Sequence, residues 1–314
     1  MRKLKDYILL FVKGMGMGAA DVVPGVSGGT IAFVTGIYEE LLRSITSVDA
    51  EALRLLFRFK LKSLWTKING SFLLVLFGGI ITSIISLAKL VTFLLSTYPI
   101  QVWSFFFGLI LISCIIIMRE IEKWNLSVIL FFILGCAAAY FISTSTGIQM
   151  PNTLLFIFFS GILAICAMIL PGISGAFILL LIGKYEYMMR ALTSTDIPVI
   201  ATFVTGCVIG LILFARLLSW TLSKYRSISI ATLAGIMLGS LYKVWPWKTA
   251  LSYRLNQEGY QVPAFEKSVL PGEFLRITGQ DPHIFYAILF AALGIFLVIL
   301  LEKLASLVKY RNSV

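Results

Sequence analysis

Residues 22–46 read VVPGVSGGTIAFVTGIYEELLRSIT, and residues 169–193 read ILPGISGAFILLLIGKYEYMMRALT. At an offset of 147 they share ten of 25 residues: Pro, Gly, Ser, Gly, Ile, Gly, Tyr, Glu, Arg and Thr. A second match follows at an offset of 127, where Gly79, Ile85, Ala88, Leu90, Leu95, Ser96, Tyr98 and Gly108 recur as Gly206, Ile212, Ala215, Leu217, Leu222, Ser223, Tyr225 and Gly235. The change of offset measures an insertion of 20 residues in the first copy. The chain is a duplication, and each copy carries a Pro-Gly-x-Ser-Gly break inside an apolar run.

The surroundings of the repeat decide the class. Of the 314 residues, 59% are hydrophobic and 13% charged, about half the soluble share of roughly 25%, and the mean hydropathy is +0.96. Disorder, collagen and a secreted disulfide scaffold are excluded. Six runs are long enough to cross a bilayer of about 30 Å: 71–97, 101–118, 126–144, 199–222, 228–245 and 284–301. The two broken runs, 7–38 and 153–183, have arms mostly too short to span and are expected to enter and return as hairpins. Cys114, Cys136, Cys166 and Cys207 all lie in apolar runs and read as small core residues. His283 is the only histidine and anchors no metal or catalytic cluster.

Charge sets the orientation. With both broken runs as returning hairpins, one face carries 17 of the 26 Lys and Arg residues and the other carries six, with Lys89, Arg216 and Lys243 inside spans. The positive-inside rule makes the first face cytoplasmic, with both termini. The net charge of +11 therefore marks a membrane face and calls for no nucleic acid. Residues 50–65 place Leu53, Leu56, Phe57, Leu61 and Leu64 on one helical face and Arg54, Arg58 and Lys62 on another. This predicts an amphipathic helix on anionic headgroups, with a polar connecting loop as the alternative. Residues 246–283 read as a neutral external loop.

The expected fold is an all-α polytopic membrane protein. Residues 1–145 form one repeat and 146–314 the other, each a broken helical hairpin plus three transmembrane helices. Three is odd, so the copies run in opposite directions. Secondary transporters use this inverted plan and bind substrate on broken helices at the repeat interface.

A helix that restarts after a break presents unpaired N–H groups and a positive dipole end. Two such ends facing each other suit a phosphate. The expected site is Pro24, Gly25, Ser27, Gly28, Gly29 and Thr30 from the first copy, with Pro171, Gly172, Ser174 and Gly175 from the second. A packing kink would explain one such break, but its recurrence at matching positions favours a site. Lys89 and Arg216 are equivalent in the repeat, and either hold the phosphate or reach to headgroups. Glu39 and Glu186 carry protons, pair with Arg43 and Arg190 four residues on, or sit at the interface. Asp21, whose counterpart is Met168, either carries a coupling proton or caps the restarting helix.

GMGMGAADVVPGVSGGTIAFVTGIYEELL at 14–42 and ICAMILPGISGAFILLLIGKYEYMM at 165–189 resemble the polyprenyl-phosphate transporter family of bacteria and archaea, over essentially the whole chain. The resemblance implies a flippase that moves undecaprenyl phosphate across the plasma membrane; alternating access is the expectation from the inverted plan of broken helices, with no cofactor or metal expected. It would recycle the lipid carrier for cell-wall and surface-polymer synthesis, with protons as the candidate coupling ion. Two alternatives stand beside it. One is a membrane-embedded polyprenyl-diphosphate phosphatase, disfavoured because neither broken motif contains Arg or His. The other is a small-anion transporter.

Overall fold

The computed structural model describes residues 3–23, 26–145, 147–148, 150–255 and 261–311. At positions 88, 89, 92, 254, 255, 261, 262, 264, 301, 302 and 304–311 it describes the backbone alone.

The first copy opens with α1 (Leu4–Val22), the short α2 (Gly28–Val34) and α3 (Tyr38–Thr46). The second opens with α9 (Leu154–Ile169), α10 (Gly175–Leu181) and α11 (Tyr185–Thr193). Element lengths agree: α2 and α10 have seven residues each, α3 and α11 nine. Each short arm ends at a repeated glycine with positive φ, Gly36 at 71° and Gly183 at 67°. The next residue's N–H then reaches back into the helix, Ile37 to Ala32 O and Lys184 to Leu179 O, which is the Schellman stop. One sequence signal therefore turns the chain twice.

The long helices follow as α6 (Gly70–Thr97), α7 (Pro99–Met118) and α8 (Leu126–Thr144) in the first copy. Their counterparts are α12 (Ile197–Lys224), α13 (Arg226–Ser240) and α15 (Ile284–Arg311). Among the described residues, four of them, α6, α7, α8 and α12, are long and apolar enough to cross a membrane, where the sequence reading expects six. The run 228–245 stays helical only to Ser240 and then turns, and α15 has a described apolar length of Ile284–Leu300. This is a helical membrane protein.

Helices pack chiefly in pairs: α1 with α6, α9 with α12, α7 with α15 and α8 with α13. Every pair is closed by at least one glycine from each helix, set against the partner's backbone. A methyl at Gly14 would stand 2.4 Å from Leu76 O, and one at Gly79 would stand 2.3 Å from Phe11 O. Gly161 and Gly206 do the same for α9 and α12, Gly108 and Gly294 for α7 and α15, and Gly135 and Gly235 for α8 and α13. Without a hydrophobic drive between helices in lipid, such close backbone approach supplies the packing energy. Two of the pairs join one copy to the other, so the copies interlock rather than fold apart.

Two insertions differ from expectation. The predicted helix 50–65 is two helices, α4 (Ala50–Phe57) and α5 (Leu61–Lys67), separated at Phe59, whose φ is 55°. Asp49 caps α4 through the Ala52 N–H at 2.9 Å, and its carboxylate also meets Lys67 Nζ at 3.1 Å, which folds α5 back. The cap and Lys67 together hold the Asp49 carboxyl below its usual range. The apolar face expected for lipid contact remains exposed at Leu53, Leu56, Phe57 and Leu61.

The segment 246–283 is more than a polar loop. It forms an antiparallel hairpin, β1 (Lys248–Leu255) and β2 (Gln261–Ser268), and then α14 (Pro271–Thr278). The register runs from Lys248 opposite Ser268 to Leu255 opposite Gln261. The hairpin is anchored by Trp245, whose indole N–H donates to Val269 O, and by Trp247, whose indole donates to Pro282 O, both at 2.8 Å. Trp247 packs with Ile100, Val269, Phe274 and Ala287 in a small core of its own. Charge count concealed this element, because its stabilising residues are a few aromatics among polar neighbours.

Candidate functional site

The two breaks meet. Ser27 Oγ donates to Met168 O at 2.9 Å, Tyr38 OH donates to Ile169 O at 3.1 Å, and the Gly172 N–H donates to Thr30 Oγ1 at 2.9 Å. The last carbonyls of α9 have no partner within their own helix, and the first copy supplies one. Ser27, Thr30, Gly172 and Ser174 are buried.

Each break has its own local cause. At the first, Ser27 is extended and its hydroxyl accepts the Gly29 N–H at 3.0 Å. At the second, Gly172 has a φ of 87°, open to glycine and strained for other residues. A methyl there would also stand 2.6 Å from Ser240 Oγ, so the end of α13 covers this break. Pro171 precedes it and is buried. Pro24 and Gly25, expected in the site, lie outside the described residues.

The breaks are unequal in hydrogen bonding. Asp21 Oδ1 accepts the Gly28 N–H at 2.7 Å, Ser27 takes that of Gly29, and the Thr30 N–H goes to Ser27 O at 2.9 Å. The start of α2 is thus already filled, with a carboxylate as its anion. Of the two roles open to Asp21, the geometry supplies the cap. Ser174 makes no such cap at α10. Among the described residues no acceptor meets the N–H groups of Gly175, Ala176 and Phe177. Lys243 lies beside this open end, its Nζ 4.2 Å from the centre of the Phe177 ring.

Other expected residues lie elsewhere. Arg216 is exposed, and its guanidinium donates to Val48 O at 3.3 Å, just beyond α3. Lys89 is in α6 with its side chain outside the described residues. Glu39 does not make the expected pair with Arg43. It binds Arg226 at 2.5 Å, and Arg226 also binds Glu120 at 3.1 Å. These two carboxylates hold the Arg226 guanidinium above its ordinary range. A partner from a distant helix outcompeted the local one, since Arg226 reaches two carboxylates from one position. Glu186 stands at the equivalent first turn of α11.

Two cations were missed. Lys184 is buried, with its ammonium on Met150 O and Asn152 Oδ1. Lys248 is buried beneath the hairpin. Lys184 stands where its counterpart is Ile37, so the repeat gave no signal for it. A mostly apolar cavity of about 1160 Å³ lies along α6, α7 and α15, lined by Leu94, Tyr98, Gln101, Phe105, His283 and Phe290.

A helical membrane protein whose two broken hairpins meet in one buried polar site has the architecture of a transporter core. Residues 17–262 match the undecaprenyl phosphate translocase-like (VCA0040-like) family, and the chain belongs to that family. It is 48% identical over 303 residues to a protein of Vibrio cholerae named polyprenyl-phosphate transporter, covering 96% of this chain and 98% of that one. A Staphylococcus aureus protein of the same name is 29% identical over 254 residues, covering 75% and 85%. No solved structure matches the chain.

Proposed function

We propose that the protein carries polyprenyl phosphate across the plasma membrane, returning the lipid carrier to the cytoplasmic leaflet. The reading rests on the names of the two relatives and on one observation: the open, unfilled start of α10 opposite a first break whose carbonyl and hydroxyl partners are already engaged. A phosphate headgroup crossing about 30 Å of hydrocarbon needs donors to replace its water, while its tail stays in lipid. Backbone N–H groups of Gly175–Phe177 supply such donors, Ser174 adds a hydroxyl, and Lys243 adds charge. The apolar cavity along α6, α7 and α15 suits the prenyl chain.

The first break works differently in this reading. Asp21 occupies the α2 start as an internal anion, which an arriving phosphate displaces. A displaced carboxylate in a buried site takes up a proton, so Asp21 is the coupling group, with Glu39 and Glu186 at the edges of the path. The copies then stand inverted in the membrane, both termini are cytoplasmic, and access alternates between leaflets. The protein performs no covalent chemistry.

The test is a proteoliposome assay with undecaprenyl phosphate in one leaflet, run with and without a pH gradient. Movement no faster than in protein-free vesicles under both conditions rejects the reading.

A further inference from the structure

Lys248 is the first residue of β1 and points inward beneath the hairpin. Its side chain is 6% exposed. Its Nζ makes no hydrogen bond and stands 3.2 Å from the centre of the Trp103 ring on α7. Its nearest carboxylate, Glu266 of β2, is 3.9 Å away, beyond hydrogen-bond range. A buried ammonium with three unused donors is among the costlier groups a fold can keep. Nothing in the hairpin's packing requires it, since Trp245, Trp247 and Val269 hold that element in place.

The charge balance points the same way. Among the described residues, Lys243, on the turn after α13, is the cation acting on Lys248, and Glu266 is the carboxylate that does so. Two ammonium groups against one carboxylate leave an uncompensated positive charge, flanked by the rings of Trp103 and Phe177. Phe177 belongs to the first turn of α10. The pair therefore leads from the hairpin side to the open break. The Glu266 side chain is 28% exposed, where that of Lys248 is 6% exposed.

We propose that Lys248 and Lys243 form a receiving site for a phosphate monoester on the hairpin side of the membrane, one step ahead of the paired breaks. The identity of the monoester as a prenyl phosphate rests on the transport reading above. The phosphate accepts hydrogen bonds from the Lys248 ammonium that no protein group accepts, and Lys243 passes it toward Gly175–Phe177. Burial pushes the Lys248 ammonium down to about 7, with Lys243 acting in the same direction and Glu266 opposing. A bound anion raises it again, so binding above pH 7 draws a proton onto Lys248, and affinity falls as pH rises.

The test uses the purified full chain in nanodiscs, titrated calorimetrically with farnesyl phosphate and with inorganic phosphate from pH 7 to 8.5. Farnesyl phosphate should bind more tightly than inorganic phosphate and lose severalfold affinity across that range. Lys248→Met should weaken binding at least tenfold. Lys248→Arg should keep affinity near the pH 7 value and lose its pH dependence, because guanidinium stays protonated. Unchanged affinity in a well-folded Lys248→Met, or pH-independent binding by the wild type, overturns the site. Equal affinity for the two probes overturns the lipid assignment and leaves a free-phosphate site. Translocation that persists while Lys248→Met leaves binding unchanged overturns the receiving site alone. Wild-type binding as described with no lipid movement overturns the transport reading alone.

Discussion

The backbone N–H of Gly172 donates to the hydroxyl of Thr30 at 2.9 Å, across 142 residues of sequence. Both partners are buried, so the bond fixes one break against the other in a place water does not reach. Thr30→Val keeps the shape and strands the Gly172 N–H, at a cost of about 1–3 kcal/mol. Thr30→Ser restores the acceptor. Thermal unfolding in detergent should rank wild type and Thr30→Ser together above Thr30→Val, and translocation should follow that order.

Gly28 and Gly29 should behave differently although they are adjacent. A methyl at Gly29 would lie 2.6 Å from Ile169 O, which is backbone and cannot yield, whereas one at Gly28 would lie 2.6 Å from Asp21 Oδ2. Gly29→Ala should therefore separate the breaks and abolish transport whatever stands at position 21. Gly28→Ala should be harmful with Asp21 present and partly rescued by Asp21→Ala. A double-mutant cycle on unfolding reads the coupling, expected in the range 0.5–3 kcal/mol.

Asp21→Asn retains an oxygen acceptor for the Gly28 N–H and removes the titratable proton. If the carboxylate couples transport to protons, the variant should still move lipid phosphate down its own gradient and lose acceleration by a pH gradient. Equal acceleration in wild type and variant would assign Asp21 to capping alone.

Lys248 makes a prediction about stability. Its folded value of about 7 lies below the ordinary 10.5. Between those values the unfolded chain binds more protons than the folded one, so stability rises as pH increases from 7 to 10.5 and this share is lost on acidification. At pH 7 the buried ammonium costs a few kcal/mol. Lys248→Met should unfold at higher temperature than wild type at pH 7, and the gap should close toward pH 10. A variant that gains stability while losing phosphate binding would be the expected trade.

Orientation is open to cysteine labelling. A cysteine at Asn69, before α6, should react only from the cytoplasmic side, and one at the exposed Tyr253 on β1 only from outside. The reverse pattern would invert the receiving site and with it the direction of capture.

The breaks were legible because they depend on Gly, Pro and Ser at fixed spacing, and the duplication printed that spacing twice; the glycine turns at Gly36 and Gly183 recur at the same offset but were not read from it. The contact between the breaks followed from the duplication as well. Asp21 was legible as one of two roles, since a carboxylate seven residues before Gly28 marks either a cap or a proton carrier. Of the three roles open to Glu39, the pairing went to Arg226 and not to the Arg43 that helical spacing offered, and the sequence holds no sign that Arg226 approaches from α13. The unequal state of the two helix starts was invisible for the same reason: Ser27 and Ser174 look alike in the motif and differ only in the partners that tertiary structure brings. The β hairpin and Lys248 were hidden by composition, where a buried lysine counts the same as a solvated one.

The reciprocal glycines limit how the molecule moves. Within each pair, backbone touches backbone at two or more points, and sliding by one helical turn of about 5.4 Å would bring bulkier neighbours such as Phe11, Leu76 or Phe158 into gaps sized for hydrogen. The pairs are therefore rods with a fixed internal gauge. Two of them, α7 with α15 and α8 with α13, tie the copies together and act as a chassis. The other two, α1 with α6 and α9 with α12, each carry one hairpin. In the proposed transport cycle, exposure of the site to one leaflet and then the other would fall to these two hairpin-bearing rods, tilting against a chassis that stays put.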